Sequence, residues 1–209
     1  PLWLVLSNHR SKTTTIYSML YEGKVPMSED LVIRHCSPTL AGIKTGSLFS
    51  CDCPCRKELT NALSCLNRKL VPKGIRILPL KVCKGRALIY VYRPHALQND
   101  LADRRARELL LQYGYLPENL NACVIHLIHR LCSAEEFPHE IGLFLSYPPE
   151  DVLGFILNSA CNHKCVGCWK VYGNEQEAKS IFEKYRLCSQ IYFRQWKQGK
   201  SIEQLTVAG

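Results

Sequence analysis

The 209-residue sequence lacks long hydrophobic runs, internal repeats and low-complexity linkers. Its longest apolar stretches, Leu2 to Leu6 and Val152 to Leu157, fall well short of the roughly 20 residues that a membrane-spanning helix needs. No signal-peptide cleavage site follows the opening residues. These absences argue against a membrane protein, a secreted protein and a repeat array, and predict a cytoplasmic protein.

Cysteine, in contrast, is abundant, with 12 in the chain. A chain of this length buries a core without covalent crosslinks, and a cytoplasmic protein keeps its cysteines reduced, so we expect thiols or metal ligands and not disulfides. Four cysteines lie in helical patterns among apolar residues. These four are predicted to be packing residues: Cys65, Cys123, Cys132 and Cys188.

Residues 27–209 predict a single α+β domain, in which a small antiparallel sheet with a β-hairpin packs against a mainly helical C-terminal half. Ser28 is an expected N-cap, and the helix after it is expected to stop near Pro38. Further helices are expected from Pro54 to Leu70, from Leu101 to Tyr113, and from about Pro117, Pro138, Pro149 and Asn174.

The hairpin is the clearest local prediction, since Lys84 and Gly85 form a tight connection between two strand-like segments. The second segment, 87–93, has apolar side chains on both faces, so we expect both to be covered. Pro79 predicts that the first strand is an edge strand or is interrupted at that residue.

Residues 1–26 differ from the rest because they hold a polar tract rich in serine and threonine. Codons for Glu22, Gly23 and Lys24 would be purine-rich and would resemble a ribosome-binding site upstream of Met27. We therefore hypothesise that residues 1–26 are a translated leader or an extension outside the domain.

A first cysteine group comprises Cys51, Cys53 and Cys55, where a strand gives way to a helix. Alternate residues of an extended segment share one face, so the three sulfurs could approach one ion. A helix N-terminus also lowers the pKa of a nearby thiol. A loop that merely tolerates cysteines is the alternative.

A second group comprises Cys161, Cys165 and Cys168, with Gly167 allowing a tight knuckle between the last two. The spacing matches radical S-adenosylmethionine enzymes, but only about forty residues follow, too few for the barrel of those enzymes. If the two groups converge, they could bind zinc or an iron–sulfur cluster; a redox thiol pair is the other possibility.

Two further hypotheses concern an active site and a basic segment. Cys36 could be the nucleophile of a cysteine-dependent hydrolase or transferase, with His139 as general base oriented by Glu140, although a buried packing role for Cys36 is the preferred interpretation.

The net charge of +9 is concentrated in one segment, because residues 68–107 hold eleven Lys or Arg and two Asp, which is +9. Four basic residues of this segment could bind an anion, or could bind single-stranded nucleic acid together with adjacent tyrosines. These residues are Arg76, Lys81, Lys84 and Arg86. A solvated face with the tyrosines in the core is the preferred interpretation, so a nucleic-acid partner is not expected.

Three motifs in order resemble a family of anaerobe proteins known as domain of unknown function 3793: residues 35–44, residues 137–152 and residues 168–173. The resemblance runs from Met27 to the end of the chain. Ser146 stands where the family pattern has glycine, and Asn174 where it has aspartate. The resemblance implies no catalytic residues, but it implies a bacterial protein near iron and redox physiology, with a redox or iron-handling protein as partner.

The leading hypothesis from the sequence is therefore a thiol-rich protein that binds a metal or a cluster, or takes part in thiol redox chemistry.

Overall fold

The computed structural model describes residues 27–133 and 137–209. The proposed leader, residues 1–26, lies outside the described residues. In the described part the elements follow in this order: α1 (Glu29–Leu40), β1 (Gly46–Asp52), α2 (Arg56–Leu70), a 3₁₀ turn (Val71–Lys73), β2 (Arg76–Cys83), β3 (Arg86–Tyr92), α3 (Pro94–Ala102), α4 (Arg104–Gln112), α5 (Leu120–Ser133), α6 (Ile141–Phe144), α7 (Pro149–Leu157), β4 (Cys165–Val166), β5 (Lys170–Val171), α8 (Glu175–Lys197) and α9 (Ile202–Leu205). The predicted α+β class is confirmed.

The central sheet has the order β1-β3-β2 with antiparallel pairing throughout. Lys84 and Gly85 both have positive φ, 50° and 74°, which is the backbone of the type I′ turn that suits the twist of a hairpin. β2 is an edge strand, and its register shifts between Pro79 and Lys81. Proline cannot donate a ladder hydrogen bond, so both predictions for this strand are confirmed.

Both faces of the sheet are covered, as predicted. On one face Ile89 and Val91 are buried in a core formed with α1, α2 and α9. On the other, Tyr90 and Tyr92 are buried among α3 to α7. Their rings stack with centroids 4.7 Å apart, so the hairpin tyrosines pack in the core and do not form a platform for bases.

Two helix boundaries differ from the sequence prediction. α1 continues through Pro38 to Leu40, because a proline near a helix end removes only one backbone hydrogen bond. The helix expected over 101–113 is two helices, α3 and α4. Asp103 separates them, since its carboxylate accepts hydrogen bonds from the backbone N–H groups of Arg105 and Ala106 and so caps α4.

Arg93 lies between the end of α1 and the C-terminal segment, and it is only 6% exposed. Its guanidinium donates to the carbonyl oxygens of Thr39 at 2.7 Å, Leu40 at 2.8 Å and Val207 at 2.7 Å. One side chain thus satisfies carbonyls that the end of a helix leaves without partners.

The short ribbon β4–β5 packs on α7 and α8 in a third cluster. Asp151, which is 3% exposed, accepts hydrogen bonds from Trp169 Nε1 at 2.6 Å and from the backbone N–H groups of Tyr172 and Gly173, both at 2.7 Å. These three bonds satisfy a buried carboxylate and attach the ribbon to the first turn of α7.

Of the four cysteines predicted to pack in the core, only Cys123 is buried. Cys65 and Cys132 are exposed and Cys188 is partly exposed, so the prediction is wrong for these three. The buried stripe of α2 consists of Leu59, Leu63, Leu66 and Leu70. Cys65 is offset from Leu66 by about 100° around the helix, so it lies outside this stripe.

Within the described residues, no helix combines the length and the apolar composition needed to cross a membrane.

Arg93→Leu is expected to lower the free energy of unfolding by about 3 kcal/mol or more, because the variant loses three short hydrogen bonds from a charged donor, each worth about 1.5–3 kcal/mol. Urea denaturation measures the change. Arg104→Leu is the matched control, since Arg104 is a solvent-exposed arginine with an i,i+4 ion pair to Glu108. A similar loss in both variants would contradict the role given to Arg93.

Gly167→Ala is expected to loosen the ribbon, because a Cβ at Gly167 would lie 2.1 Å from the Phe182 ring. Overpacking of this kind costs about 1–3 kcal/mol. Thermal unfolding of Gly167→Ala, Phe182→Leu and the double variant tests the contact. The double variant should recover part of the loss, whereas strictly additive effects would show that the ring is not the obstacle.

Candidate functional site

The first cysteine group lies at the end of β1 and the start of α2. Cys51 and Cys53 are buried in the first core, while Cys55 is partly exposed and occupies the N-cap position of α2. The backbone N–H of Cys53 donates to the carbonyl of Gly85 at 2.7 Å, which continues the β1–β3 pairing to the hairpin turn. Burial and the neighbouring Cys53 thiol raise the pKa of Cys51 to about 11.

A small pocket of about 90 Å³ opens beside this group. Its lining combines two thiols, a thioether and two carboxylates with apolar side chains: Met27, Asp52, Cys53, Pro54, Cys55, Glu58, Leu59 and Ala62. The volume equals that of roughly three liquid water molecules, against several hundred Å³ for pockets that hold organic ligands. The pocket suits an ion better than a substrate.

The three cysteines of the second group do not lie in one structural unit. Cys165 begins β4 and Cys168 lies in the turn between β4 and β5, and both are partly exposed and packed against the third cluster. Cys161 precedes the ribbon in an exposed loop where Asn162 has a φ of 58°. It lies near Tyr172, whose pKa is raised mainly by burial and further by this thiol. Only Cys165 and Cys168 therefore share one structural unit.

The two cysteine groups are not brought together. Cys51 lies five strand residues beyond Gly46, or roughly 17 Å at about 3.4 Å per residue, whereas Cys168 lies near Lys44 at the start of that strand. In residues 27–133 and 137–209, no three His, Cys, Asp or Glu side chains are grouped as ligands for a metal ion. The contacts of the described residues thus do not join the two groups, and a common zinc or iron–sulfur site stays a prediction.

A feature that sequence reasoning missed lies beside Cys168. Lys44, in the loop between α1 and β1, places its ammonium nitrogen 5.5 Å from the Tyr147 ring centroid and 5.6 Å from the Tyr185 ring centroid. Among the described residues, no carboxylate forms an ion pair with Lys44. Cation–π contacts stabilise the charge here in place of a counterion.

Lys44 and two thiols influence one another. Burial lowers the pKa of Lys44, and the Cys168 and Cys36 thiols act against that shift. Burial raises the pKa of Cys168, and Lys44 opposes the rise. Burial likewise raises the pKa of Cys36, against the influence of Lys44 and a hydrogen bond with Ser47. Thiol and amine are thus shifted toward each other, which favours proton exchange between them.

The surrounding loop is held in place by hydrogen bonds. The hydroxyl of Tyr147 donates to the carbonyl of Cys168 at 3.2 Å. Ser146 Oγ accepts from the backbone N–H of Thr45 at 3.3 Å, and the Thr45 hydroxyl donates to Asp100 at 2.6 Å. Ser146 has a φ of 54°, a left-handed conformation that explains why glycine is expected at this position.

A different lysine, Lys179, lies close enough to Cys165 to influence its thiol. Burial first, and then Glu175, raise the pKa of the Cys165 thiol, whereas the charge of Lys179 on α8 acts in the opposite direction. Each thiol of the Cys165–Cys168 pair therefore has one lysine close enough to stabilise its thiolate.

The described contacts do not assemble the residues of the nucleophile hypothesis. Cys36 is fully buried, and the groups that act on its thiol are Lys44 and Ser47. His139 is exposed and packs against the rings of Phe137 and Phe155.

Glu140, the proposed orienting residue, is 1% exposed. It accepts hydrogen bonds from the Tyr115 hydroxyl at 2.9 Å and from Arg130. The carboxylate thus binds a buried tyrosine and an arginine, and a role for Cys36, His139 and Glu140 in catalysis stays an untested prediction.

The four basic residues of the hairpin are spread out. Lys81 Nζ donates to the carbonyl of Leu131 at 2.6 Å, and Arg86 donates to Ser50 Oγ at 3.0 and 3.1 Å. Arg76 acts on the buried Tyr92, and its charge opposes the burial that raises the pKa of that phenol. Lys84 lies at the turn. Anion binding by this set stays a prediction, and its tyrosines are not available for stacking.

The three motifs that carried the family resemblance meet around Lys44. The first supplies Cys36 and Lys44, the second Tyr147, and the third Cys168. A lysine in a short motif with a cysteine was the one signal in the sequence that could have identified this centre. No pattern within a single motif indicated that the three motifs lie close together in the fold.

Comparisons with known proteins give one result. No curated protein and no solved structure matches the chain. Residues 32–206 match a family described as protein of unknown function DUF3793. Since the match covers most of the chain, this protein belongs to the DUF3793 family.

Proposed function

We propose that the protein acts in thiol redox chemistry through the Cys165–Cys168 pair, with Lys44 as the proton partner of Cys168. The observation that supports this most is the position of Lys44, a half-buried lysine without a carboxylate partner in the described residues, beside the partly exposed Cys168. A perturbed lysine next to a thiol is typical of functional sites.

The chemistry follows from thiol–disulfide exchange. The Cys168 thiolate attacks a disulfide of a redox partner, a mixed disulfide forms, and the released partner thiolate takes a proton from Lys44. Cys165 loses its proton to solvent and attacks Cys168 as a thiolate, releasing the second partner thiolate, which is protonated from solvent. The partner gains two electrons and two protons, and the Cys165–Cys168 disulfide is the oxidised product.

Other thiols are less suited to this role. Cys36 is fully buried behind Lys44 and cannot reach a protein partner. Cys161 is exposed, but it lies outside the ribbon that carries Cys165 and Cys168. Cys168 combines partial exposure with a nearby lysine, which limits the rise that burial causes in the pKa of its thiol.

Mild oxidation in a glutathione redox buffer should form the Cys165–Cys168 disulfide before any other. Peptide mapping by mass spectrometry after acid quenching identifies the pair. Cys161→Ser is the control and should leave its formation unchanged, while Cys165→Ser should leave Cys168 as a mixed disulfide with glutathione. Preferential pairing of Cys161, or no pairing of Cys168, would sink the proposal.

Lys44→Met should slow alkylation of Cys168, because loss of the ammonium group raises the pKa of the thiol further and each pKa unit lowers the thiolate fraction about tenfold. Isotope-coded iodoacetamide with peptide mass spectrometry gives the rate, with Cys161 as internal reference. Lys164→Met is the matched control, since Lys164 is on the same ribbon but donates to the carbonyl of Gly173. Equal rates in the parent and Lys44→Met would count against Lys44.

The ratio of the Cys168 alkylation rate in the parent protein to that in Lys44→Met should depend on pH. Burial lowers the pKa of Lys44, so the ammonium is present below that lowered value and is lost as the pH rises through it, earlier than for an ordinary lysine. Its support of the Cys168 thiolate disappears in the same range. The rate ratio of parent to Lys44→Met is therefore largest below the pKa of Lys44 and approaches one above it. A ratio that is constant across the pH range would exclude an electrostatic role.

A further inference from the structure

The pocket beside the first cysteine group has an uneven lining. Its inner part is apolar and sulfur-rich, since Met27 is 8% exposed, Cys53 is 6% exposed and Leu59 is 6% exposed. Its outer part carries oxygen, from the exposed Glu58 and the partly exposed Asp52. An ion held inside would meet sulfur donors first.

Cys53 is the central donor. Its side chain is more than nine-tenths buried, lines the pocket, and makes no hydrogen bond with any other described residue. Cys55 faces the same pocket from the N-cap position of α2, and its side chain does not form a capping hydrogen bond. Two thiols thus border one small cavity with their sulfur atoms available.

Charge decides which class of ion fits. α2 has 15 residues, and its N-terminus favours negative charge and the thiolate form of a cysteine. Of the two carboxylates, Asp52 is paired with Arg86 at 3.6 Å and Glu58 is exposed to solvent, so the inner donors set the charge at the ion. Two thiolates with a monovalent cation have a net charge of −1, which the helix terminus stabilises. Two thiolates with a divalent cation are neutral and gain nothing from it. A divalent ion such as zinc also needs about four donors, and no three His, Cys, Asp or Glu ligands are grouped in the described residues.

We propose that this pocket binds a soft monovalent d¹⁰ metal ion, Cu(I), through the Cys53 and Cys55 thiolates, with the Met27 thioether as a weaker third donor. Thiolate and thioether ligands favour soft metal ions, and Cu(I) is the monovalent ion among them. Few donors suffice for this ion, so the site requires no contribution from the distant second cysteine group. The proposal is independent of the redox role of Cys165 and Cys168.

The test uses the full chain in a Cys165→Ser, Cys168→Ser background, so that the ribbon thiols cannot contribute. Reduced protein is titrated with Cu(I) under anaerobic conditions against a colorimetric Cu(I) chelator. We expect one Cu(I) per chain, competition with the chelator, and a near-ultraviolet thiolate-to-copper absorption band. Absence of binding in competition with the chelator would overturn the proposal.

Variants assign the donors. Cys55→Ser, at a partly exposed position where folding is not at risk, should abolish competition with the chelator, and Cys53→Ser should do the same; circular dichroism checks the fold. Met27→Leu should weaken binding without abolishing it. Cys65→Ser, an exposed cysteine on the same helix, is the matched control and should bind as the parent does. Retained binding after both Cys53→Ser and Cys55→Ser, or a preference for Zn²⁺ over Cu(I), would refute the assignment.

Discussion

The architecture depends on a buried guanidinium that is held by carbonyl oxygens and not by a carboxylate. Among the described residues, Arg93 forms no ion pair, and its hydrogen bonds go to Thr39, Leu40 and Val207. Burial lowers the pKa of Arg93, which shows that the site is costly for a charge. Because Arg93 directly follows β3, these bonds join the central strand, the end of α1 and the C-terminal segment. The loop that carries Lys44 begins where this junction ends.

The proposed redox centre is therefore assembled from parts that have separate anchors. Arg93 positions the end of α1, and so the loop before β1, whereas Asp151 attaches the ribbon that carries Cys165 and Cys168. Lys44 reaches from one part toward the other between two tyrosine rings. A lysine that bridges independently anchored parts can respond to small movements of either, which suits a group that gives up and regains a proton.

Sequence reasoning succeeded where a structural feature depends on neighbouring residues. The hairpin at Lys84–Gly85, the edge position of the strand with Pro79, and the cap at Asn174 all follow from local backbone preferences. It failed where burial depends on the helix face that a residue occupies, as for Cys65, which lies off the stripe of leucines on α2. It also missed the contact between Lys44 and Cys168, because these residues are more than 120 positions apart in the sequence. No local pattern encodes such a contact, and the two cysteine groups, which looked alike as sequences, lie in different environments for the same reason.

That difference in environment leads to different chemistry. Cys165 and Cys168 are partly exposed and each has a lysine nearby, so a thiolate there can form, attack and be protonated again. Cys53 is buried at a helix N-terminus beside a cavity too small for an organic substrate, so its thiolate has no room for exchange with a partner disulfide. On our proposals, a thiol that a partner can reach takes part in redox exchange, whereas one that only an ion can reach acts as a ligand. The abundance of cysteine in this chain would then reflect two proposed sites that need different surroundings for the same functional group.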